Sequence, residues 1–263
     1  MVLIFPGGHT TAATPLGSEM YNEVGYRTLS FSRPGYGRTD VGPLTAAEFV
    51  PAVAQCCELL GIDSAVAAVG VSFGGLQAVH VATGLRHLCP RLVLHSCAPS
   101  SLPYPDSVWE RLGAPVLFGP RSARITWPVV RALTSTDRGL RAMMAQLSTA
   151  PVERWWADWT AEDRAAARST FSQMSSGYGF MIDVRQASAD RSRYRETVLR
   201  SIPCPTLVTA SRLDGGVSFA HADDFADKIP ACQVVETAAW NHFAWLGPSR
   251  GHVLEAVQRF LVS

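Results

Sequence analysis

The sequence predicts an α/β fold in which a mostly parallel sheet is covered by helices on both faces and carries an inserted helical cap. Two observations support this fold class. Short runs of consecutive apolar residues, typical of strands buried on both faces, alternate with helical patterns. The alternation breaks between residues 100 and 199, where helical patterns continue without a convincing strand. We therefore expect a first core part at 1–99, a helical cap at 100–199 and a second core part at 200–263.

The predicted strands are the short apolar runs. They cover residues 2–5, 26–31, 65–70, 91–95, 206–210 and 233–236. Between the second and third runs, Thr45 and Glu48 have the spacing of a capping box, which predicts a helix that Gly61 ends. Such a helix is the right-handed crossover that parallel strands require.

The predicted cap combines helical periodicity with many aromatic residues. Residues 140–147 place apolar side chains at i, i+3, i+4 and i+7, and Thr160 can cap a helix through Phe171 and Met174. The cap also holds five of the seven tryptophans: Trp109, Trp127, Trp155, Trp156 and Trp159. Two interpretations are open. In the first, most of these side chains hold the cap onto the core; in the second, some of them face a pocket for an apolar substrate. Trp155, Trp156 and Trp159 are the candidates for substrate contact.

Composition narrows the range of partners. With 263 residues and 47% hydrophobic residues, the chain has ample material for a large core, which excludes disorder and fibrous repeats. The formal charge is +1 without long charged blocks, so we expect neither nucleic acid nor a membrane as partner, but a small-molecule substrate. The arginines at 185, 191, 193 and 195 are expected to be solvated. No apolar stretch reaches the roughly 18 residues of a membrane span, and we expect a cytoplasmic protein.

The six cysteines show neither CxxC pairs nor a Cys/His cluster at zinc spacing. Buried free thiols are the better interpretation, and we expect no metal and no cofactor.

A G-x-S-x-G motif at residues 70–74 stands between a predicted strand and a predicted helix over 72–83. So tight a turn strains the serine backbone and leaves no room for β-carbons at Gly70 and Gly74. It would lift the Ser72 hydroxyl above the carboxyl edge of the sheet. The start of the helix would place the Phe73 N–H where an oxyanion forms.

Asp214 and His242 each follow a predicted strand, so both should lie at the same sheet edge as Ser72. A serine hydroxyl needs an imidazole base, and the imidazole needs a carboxylate to fix its tautomer. We therefore predict Ser72 as nucleophile, His242 as base and Asp214 as acid. In the alternative readings, His242 is a core histidine between two tryptophans, and Asp214 is a turn residue, with Asp223 or Asp224 as weaker substitutes.

A second oxyanion donor is expected from the glycine pair that ends the first strand. Gly8 is the preferred residue, and His9 is the near alternative. The His9 side chain could also contact substrate, although a loop histidine bonded to its own backbone is the plainer interpretation.

These residues resemble the α/β-hydrolase fold superfamily, in its serine-nucleophile branch with a helical cap. The matching segments are residues 6–8, 32–38, 70–74 and 242–246, together with Asp214. Pro6, Ser32 and Asn241 depart from the usual His, Asp and Gly. We expect the antiparallel strand pair that usually precedes the first strand in this superfamily to be missing here. The sheet edge at that end should be bare, shielded or paired, and a homodimer through it is a hypothesis.

The resemblance implies a serine hydrolase acting on an apolar or aromatic ester, thioester or lactone through an acyl-enzyme. A C–C bond hydrolase or lyase with the same residues is the alternative chemistry. A noncatalytic ligand receptor on this fold is the third function class. The same scaffold serves all three, so the motifs specify the fold more narrowly than the substrate.

Overall fold

The computed structural model describes residues 1–107, 113–114 and 116–262. Trp109 therefore lies outside the described residues. Within them the strands are β1 (Val2–Phe5), β2 (Thr28–Ser30), β3 (Ala67–Val71), β4 (Leu92–His95), β5 (Thr206–Ala210) and β6 (Cys232–Glu236). They form one sheet of order β2-β1-β3-β4-β5-β6, and every neighbouring pair is parallel. All six predicted strands are confirmed; the second is shorter at both ends because only its centre pairs with β1.

The helices of the described residues complete an α/β fold. They are α1 (Ser18–Glu23), α2 (Ala46–Leu59), α3 (Gly74–Gly84), α4 (Ala123–Thr134), α5 (Asp137–Ala145), α6 (Ala161–Gln173), α7 (Gly179–Ala187), α8 (Ser192–Arg200), α9 (Ala220–Lys228) and α10 (Arg250–Val262). Single 3₁₀ turns lie at Val152–Arg154, Trp156–Asp158 and Ala189–Arg191. None of these helices combines the length and hydropathy needed to cross a membrane.

Alternating side chains bury both faces of the sheet. In β1, Val2 and Ile4 belong to an apolar cluster shared with α1 and α10, while Leu3 and Phe5 belong to one shared with α2, α3 and α9. All four are at most 2% exposed. Successive residues of a strand point to opposite faces, so a continuous apolar run is what a doubly covered sheet requires.

Two capping boxes start helices where the sequence predicts them. The Thr45 hydroxyl accepts a hydrogen bond from the Glu48 N–H, and the Thr45 N–H donates to the Glu48 carboxylate, at the start of α2. Thr160 and Asp163 do the same at the start of α6. Each box satisfies two backbone donors that an uncapped helix would leave unpaired.

Helices α4 to α8 lie between β4 and β5, and we call this segment the helical insert. Its helices replace the alternation of strands and helices seen elsewhere, as the sequence indicates; the division at 1–99, 100–199 and 200–263 stays a prediction.

The expectation that all four arginines of this region are solvated is wrong. Arg195 is buried rather than solvated, because its guanidinium donates to five backbone carbonyls, those of Ser100, Ser101, Leu102, Gln186 and Ser188.

Candidate active site

Ser72 lies at the sharp turn between β3 and α3, with a left-handed φ of 53°. The predicted helix over 72–83 begins later, at Gly74, because Ser72 has this non-helical conformation. A β-carbon on Gly74 would lie 1.8 Å from the Phe5 carbonyl oxygen, and one on Gly70 would lie 2.6 Å from the Gly75 Cα. The turn therefore needs both flanking glycines for steric reasons, and it holds the serine in a strained conformation.

His242 and Asp214 form a buried pair at the carboxyl edge of the sheet. The His242 Nδ1–H donates to Asp214 Oδ2 at 2.8 Å. The other carboxylate oxygen, Oδ1, accepts from the Gly216 N–H at 2.7 Å and the Val217 N–H at 2.9 Å. Because backbone donors fix Oδ1, Oδ2 remains free to accept the hydrogen bond from the imidazole. This arrangement keeps the Nε2 atom of a neutral His242 unprotonated and able to accept a proton.

The helical insert holds the loops that carry this pair. The Leu147 carbonyl accepts hydrogen bonds from the Gly215 N–H at 3.0 Å and from the His242 N–H at 2.9 Å. Ser148 pairs with Asp214 in an isolated antiparallel bridge. One short segment of the insert thus fixes the acid loop and the base loop relative to each other.

The charge of Asp214 controls the protonation of His242. Burial lowers the pKa of His242, but the neighbouring carboxylate charge and its hydrogen bond raise that pKa more, so that the net shift is upward. The carboxylate therefore stabilises the imidazolium that proton uptake from a serine would create.

Ser72 and His242 line the same cavity. Within the described residues, His242 is hydrogen-bonded to Asp214 but the Ser72 hydroxyl makes no hydrogen bond to the imidazole. Such contacts are often long in a ligand-free site and tighten when substrate binds.

The two predicted oxyanion donors, the N–H groups of Gly8 and Phe73, lie beside Ser72. A β-carbon on Gly8 would lie 3.0 Å from the Phe73 ring, and one on Gly7 would lie 3.1 Å from the Ser72 Cβ. Among the described residues, neither the Gly8 N–H nor the Phe73 N–H donates to a protein acceptor.

The cavity has a volume of about 360 Å³ and is mostly apolar. Its apolar walls come from both the core and the insert: Leu16, Val71, Phe118, Trp127, Val130, Met143, Phe171, Met174, Phe180, Phe243 and Trp245. Its polar side chains are those of Ser72, His242, His9, Thr10, Tyr104 and Gln146. No Asp, Glu, Lys or Arg lines it in the part of the chain that the structure describes.

Comparison with known proteins agrees with this geometry. The family model described as "Alpha/beta hydrolase family" matches residues 2–256, nearly the whole chain. The chain belongs to this family. The "uncharacterized hydrolase YcgS" of Bacillus subtilis (strain 168) is 29% identical over 271 residues, covering 100% of this chain and 91% of that protein.

Solved structures show the same fold. An alpha/beta hydrolase fold protein from Nakamurella multipartita superposes with a TM-score of 0.71 at 21% identity, covering 99% of this chain and 91% of that one. The enol-lactonase from Burkholderia xenovorans LB400 has a TM-score of 0.67 at 19% identity, with coverages of 100% and 91%. The family match identifies the protein as an alpha/beta hydrolase, and these solved structures share its fold.

Three tryptophans predicted as substrate contacts lie elsewhere in this hydrolase. Trp155, Trp156 and Trp159 contact one another with ring centroids 5.4–6.1 Å apart, and none of them lines the cavity. Trp155 and Trp159 are almost fully buried. They hold the insert onto the core. Among the described residues, the tryptophans that do line the cavity are Trp127 of the insert and Trp245 of the core.

The sequence did not predict a buried ion pair that lies behind the turn at Gly7 and Gly8 of this hydrolase. Arg33, which follows β2, makes a bidentate contact with Asp183 of α7, and the Tyr36 hydroxyl donates to the same carboxylate at 2.6 Å. Arg33 and Tyr36 belong to the segment 32–38, which matches the superfamily but was assigned no role from the sequence. The available signal for Asp183 is an acid inside the apolar run Phe180–Val184.

Proposed function

We propose that this hydrolase cleaves an uncharged, apolar or aromatic ester, thioester or lactone through an acyl-enzyme on Ser72. The observation that carries the proposal is the meeting, in one apolar cavity, of a strained serine, a carboxylate-paired imidazole and two backbone N–H groups that have no acceptor among the described residues. Each part has a defined role in acyl transfer.

In the first step the Ser72 Oγ attacks the substrate carbonyl carbon, and its proton passes to His242 Nε2. The carbonyl oxygen becomes an oxyanion that accepts hydrogen bonds from the Gly8 and Phe73 N–H groups. Collapse of this intermediate breaks the bond to the leaving alcohol or thiol, which takes the proton from His242. Asp214 stabilises the transient imidazolium throughout.

Water completes the cycle. His242 Nε2 takes a proton from the water molecule, whose oxygen attacks the acyl carbon and forms a second oxyanion in the same site. Collapse breaks the bond to Ser72 Oγ, which recovers its proton from His242. The carboxylic acid leaves, and the enzyme returns to its starting protonation state.

The assignment of Gly8 rather than His9 as the second oxyanion donor rests on the position of the Gly7–Gly8 peptide unit. This peptide unit packs against Ser72, since a β-carbon on Gly7 would lie 3.1 Å from the Ser72 Cβ. The Gly8 N–H has no acceptor among the described residues, so it is available to a developing charge.

The polarity of the cavity supports an uncharged substrate. Among the described residues no charged side chain lines the cavity, so they offer no partner for a substrate carboxylate, and burying an unpaired charge is costly. Its volume is at the small end of the range of about 300–1,000 Å³ found for ligand pockets, which supports a small acyl group.

His9 supplies a neutral polar contact in this proposal. Burial, and secondarily the charge of Arg33, lowers the pKa of His9 to about 3. The Ser176 hydroxyl accepts a hydrogen bond from Trp127 Nε1 at 2.8 Å, so we assign its proton to the 2.9 Å contact with His9 Nδ1. The His9 proton is then on Nε2, where it can donate to a substrate oxygen.

The test is a panel of p-nitrophenyl esters of increasing acyl length, with lactones and a carboxylate-bearing ester of matched length. We expect the neutral esters to have higher kcat/KM than the charged ester, and Ser72→Ala to remove turnover. Unchanged hydrolysis by Ser72→Ala would refute the acyl-enzyme, and preference for the charged ester would refute the substrate class.

A further inference from the structure

The Gly7 carbonyl oxygen, next to the oxyanion turn, accepts two buried hydrogen bonds. One comes from the Thr10 hydroxyl at 2.7 Å and the other from Arg33 Nη2 at 3.0 Å. Thr10 and Arg33 are only 3% and 4% exposed. Two donors on one carbonyl, one of them a guanidinium, are more than is needed to satisfy a backbone oxygen.

The Gly7 carbonyl and the Gly8 N–H belong to the same peptide unit. In a planar trans peptide these two groups point in opposite directions. Fixing the carbonyl on the Arg33 side therefore directs the Gly8 N–H away from Arg33. Because Gly7 packs against Ser72, the same peptide unit lies beside the nucleophile.

Hydrogen bonds to a peptide carbonyl also strengthen the N–H of that peptide. Hydrogen bonds in a chain polarise one another, by about 10–30% per bond. Electron density drawn toward Thr10 and Arg33 makes the Gly8 N–H a better donor to an oxyanion.

We propose that Thr10 and Arg33 are positioning residues of the oxyanion hole, which act through the Gly7 carbonyl to direct and polarise the Gly8 N–H. This inference rests on the proposed function of Gly8. Neither side chain needs to touch the reacting atoms.

Arg33 is itself fixed from the helical insert. Its Nε donates to the Pro6 carbonyl at 2.8 Å, while the rest of the guanidinium is held by Asp183 of α7. The carboxylate neutralises a charge that could not otherwise be buried. The oxyanion peptide is thereby connected to the position of α7.

Thr10→Val tests the proposal, because it removes one bond to the Gly7 carbonyl while nearly preserving side-chain volume. Thr206→Val is the matched control: Thr206 is also buried and donates to a backbone carbonyl, that of Cys204, but at the amino end of β5. Thr10→Ser keeps the hydroxyl and should therefore keep kcat close to the wild-type value.

We expect Thr10→Val to lower kcat roughly tenfold with little change in KM, a fraction of the about 10²–10³-fold cost of removing an oxyanion donor. The affinity for a trifluoromethyl ketone, which forms an oxyanion on the serine, should fall by the same factor. A merely structural role would change KM or stability instead. Equal kcat for Thr10→Val and Thr206→Val would overturn the proposal.

A second measurement does not depend on turnover. The amide proton of Gly8, followed by NMR in the wild type and both variants, should move upfield in Thr10→Val alone. An unshifted Gly8 signal would also overturn the inference. If the wild type neither hydrolyses esters nor acylates Ser72, the proposed function fails, while the Gly8 signal still shows whether Thr10 polarises the peptide.

Discussion

Replacing Asp214 by asparagine should place the His242 proton on the wrong nitrogen. Oδ1 of Asp214 faces two backbone N–H donors, those of Gly216 and Val217, so the asparagine oxygen must take that side. The amide NH₂ then faces His242 Nδ1, which has to accept, and the ring proton moves to Nε2. Nε2 is the atom that must receive the proton of Ser72.

The expected loss in kcat is about 10⁴-fold, the size found for the same change in another Ser-His-Asp triad, which corresponds to about 5.5 kcal/mol. The pH dependence of kcat/KM provides a second test. In the wild type, kcat/KM should rise through an inflection above the ordinary histidine pKa of about 6.5, because Asp214 raises the pKa of His242 and only the neutral imidazole is a base. In Asp214→Asn, burial remains and the inflection should move down.

The assay is steady-state hydrolysis of a p-nitrophenyl ester between pH 5 and 9, with urea unfolding to verify the fold. Asp224→Asn is the matched control, since Asp224 also accepts hydrogen bonds, from Ser101, but lies outside the cavity. Near-wild-type kcat in Asp214→Asn, or an equal loss in Asp224→Asn, would refute the reasoning.

Two further predictions concern stability. Gly74→Ala should lower the free energy of unfolding by more than about 4 kcal/mol or prevent folding, because its β-carbon would overlap the Phe5 carbonyl. Gly251→Ala should be neutral or stabilising, because the space around Gly251 in α10 is open. Urea unfolding of both variants checks this, and equal midpoints would contradict it. His95 is buried with its pKa lowered to about 4, so between about pH 6.5 and 4 only the unfolded chain gains its proton, and stability should fall with decreasing pH by up to about 1.4 kcal/mol per pH unit from this group. His95→Gln should reduce that slope in urea titrations at pH 4.5–6.5, and an unchanged slope would show that another group causes it.

Local chemistry explains why much of the site could be predicted from the sequence. The strained turn at Ser72 needs glycines at fixed positions, and residues after parallel strands must meet at one sheet edge. Asp214 and His242 could therefore be assigned to that edge without knowledge of side-chain packing. The capping boxes at Thr45 and Thr160 are equally local, and both start helices as predicted.

The cavity wall could not be predicted in the same way. Trp127 and Trp155 both belong to the insert, yet one lines the cavity and the other packs against two tryptophans. The difference arises from how the insert docks, which no short-range pattern records. The ion pair of Arg33 and Asp183 joins residues 150 positions apart, so only the folded chain brings it together.

The most direct test of an acyl-enzyme on Ser72 is intact-protein mass spectrometry of samples quenched with acid during the first turnover of a p-nitrophenyl ester. We expect one acyl group per chain at early times, located on Ser72 by peptide mapping and absent from Ser72→Ala. Steady turnover with no adduct, or an adduct on another residue, would contradict the account.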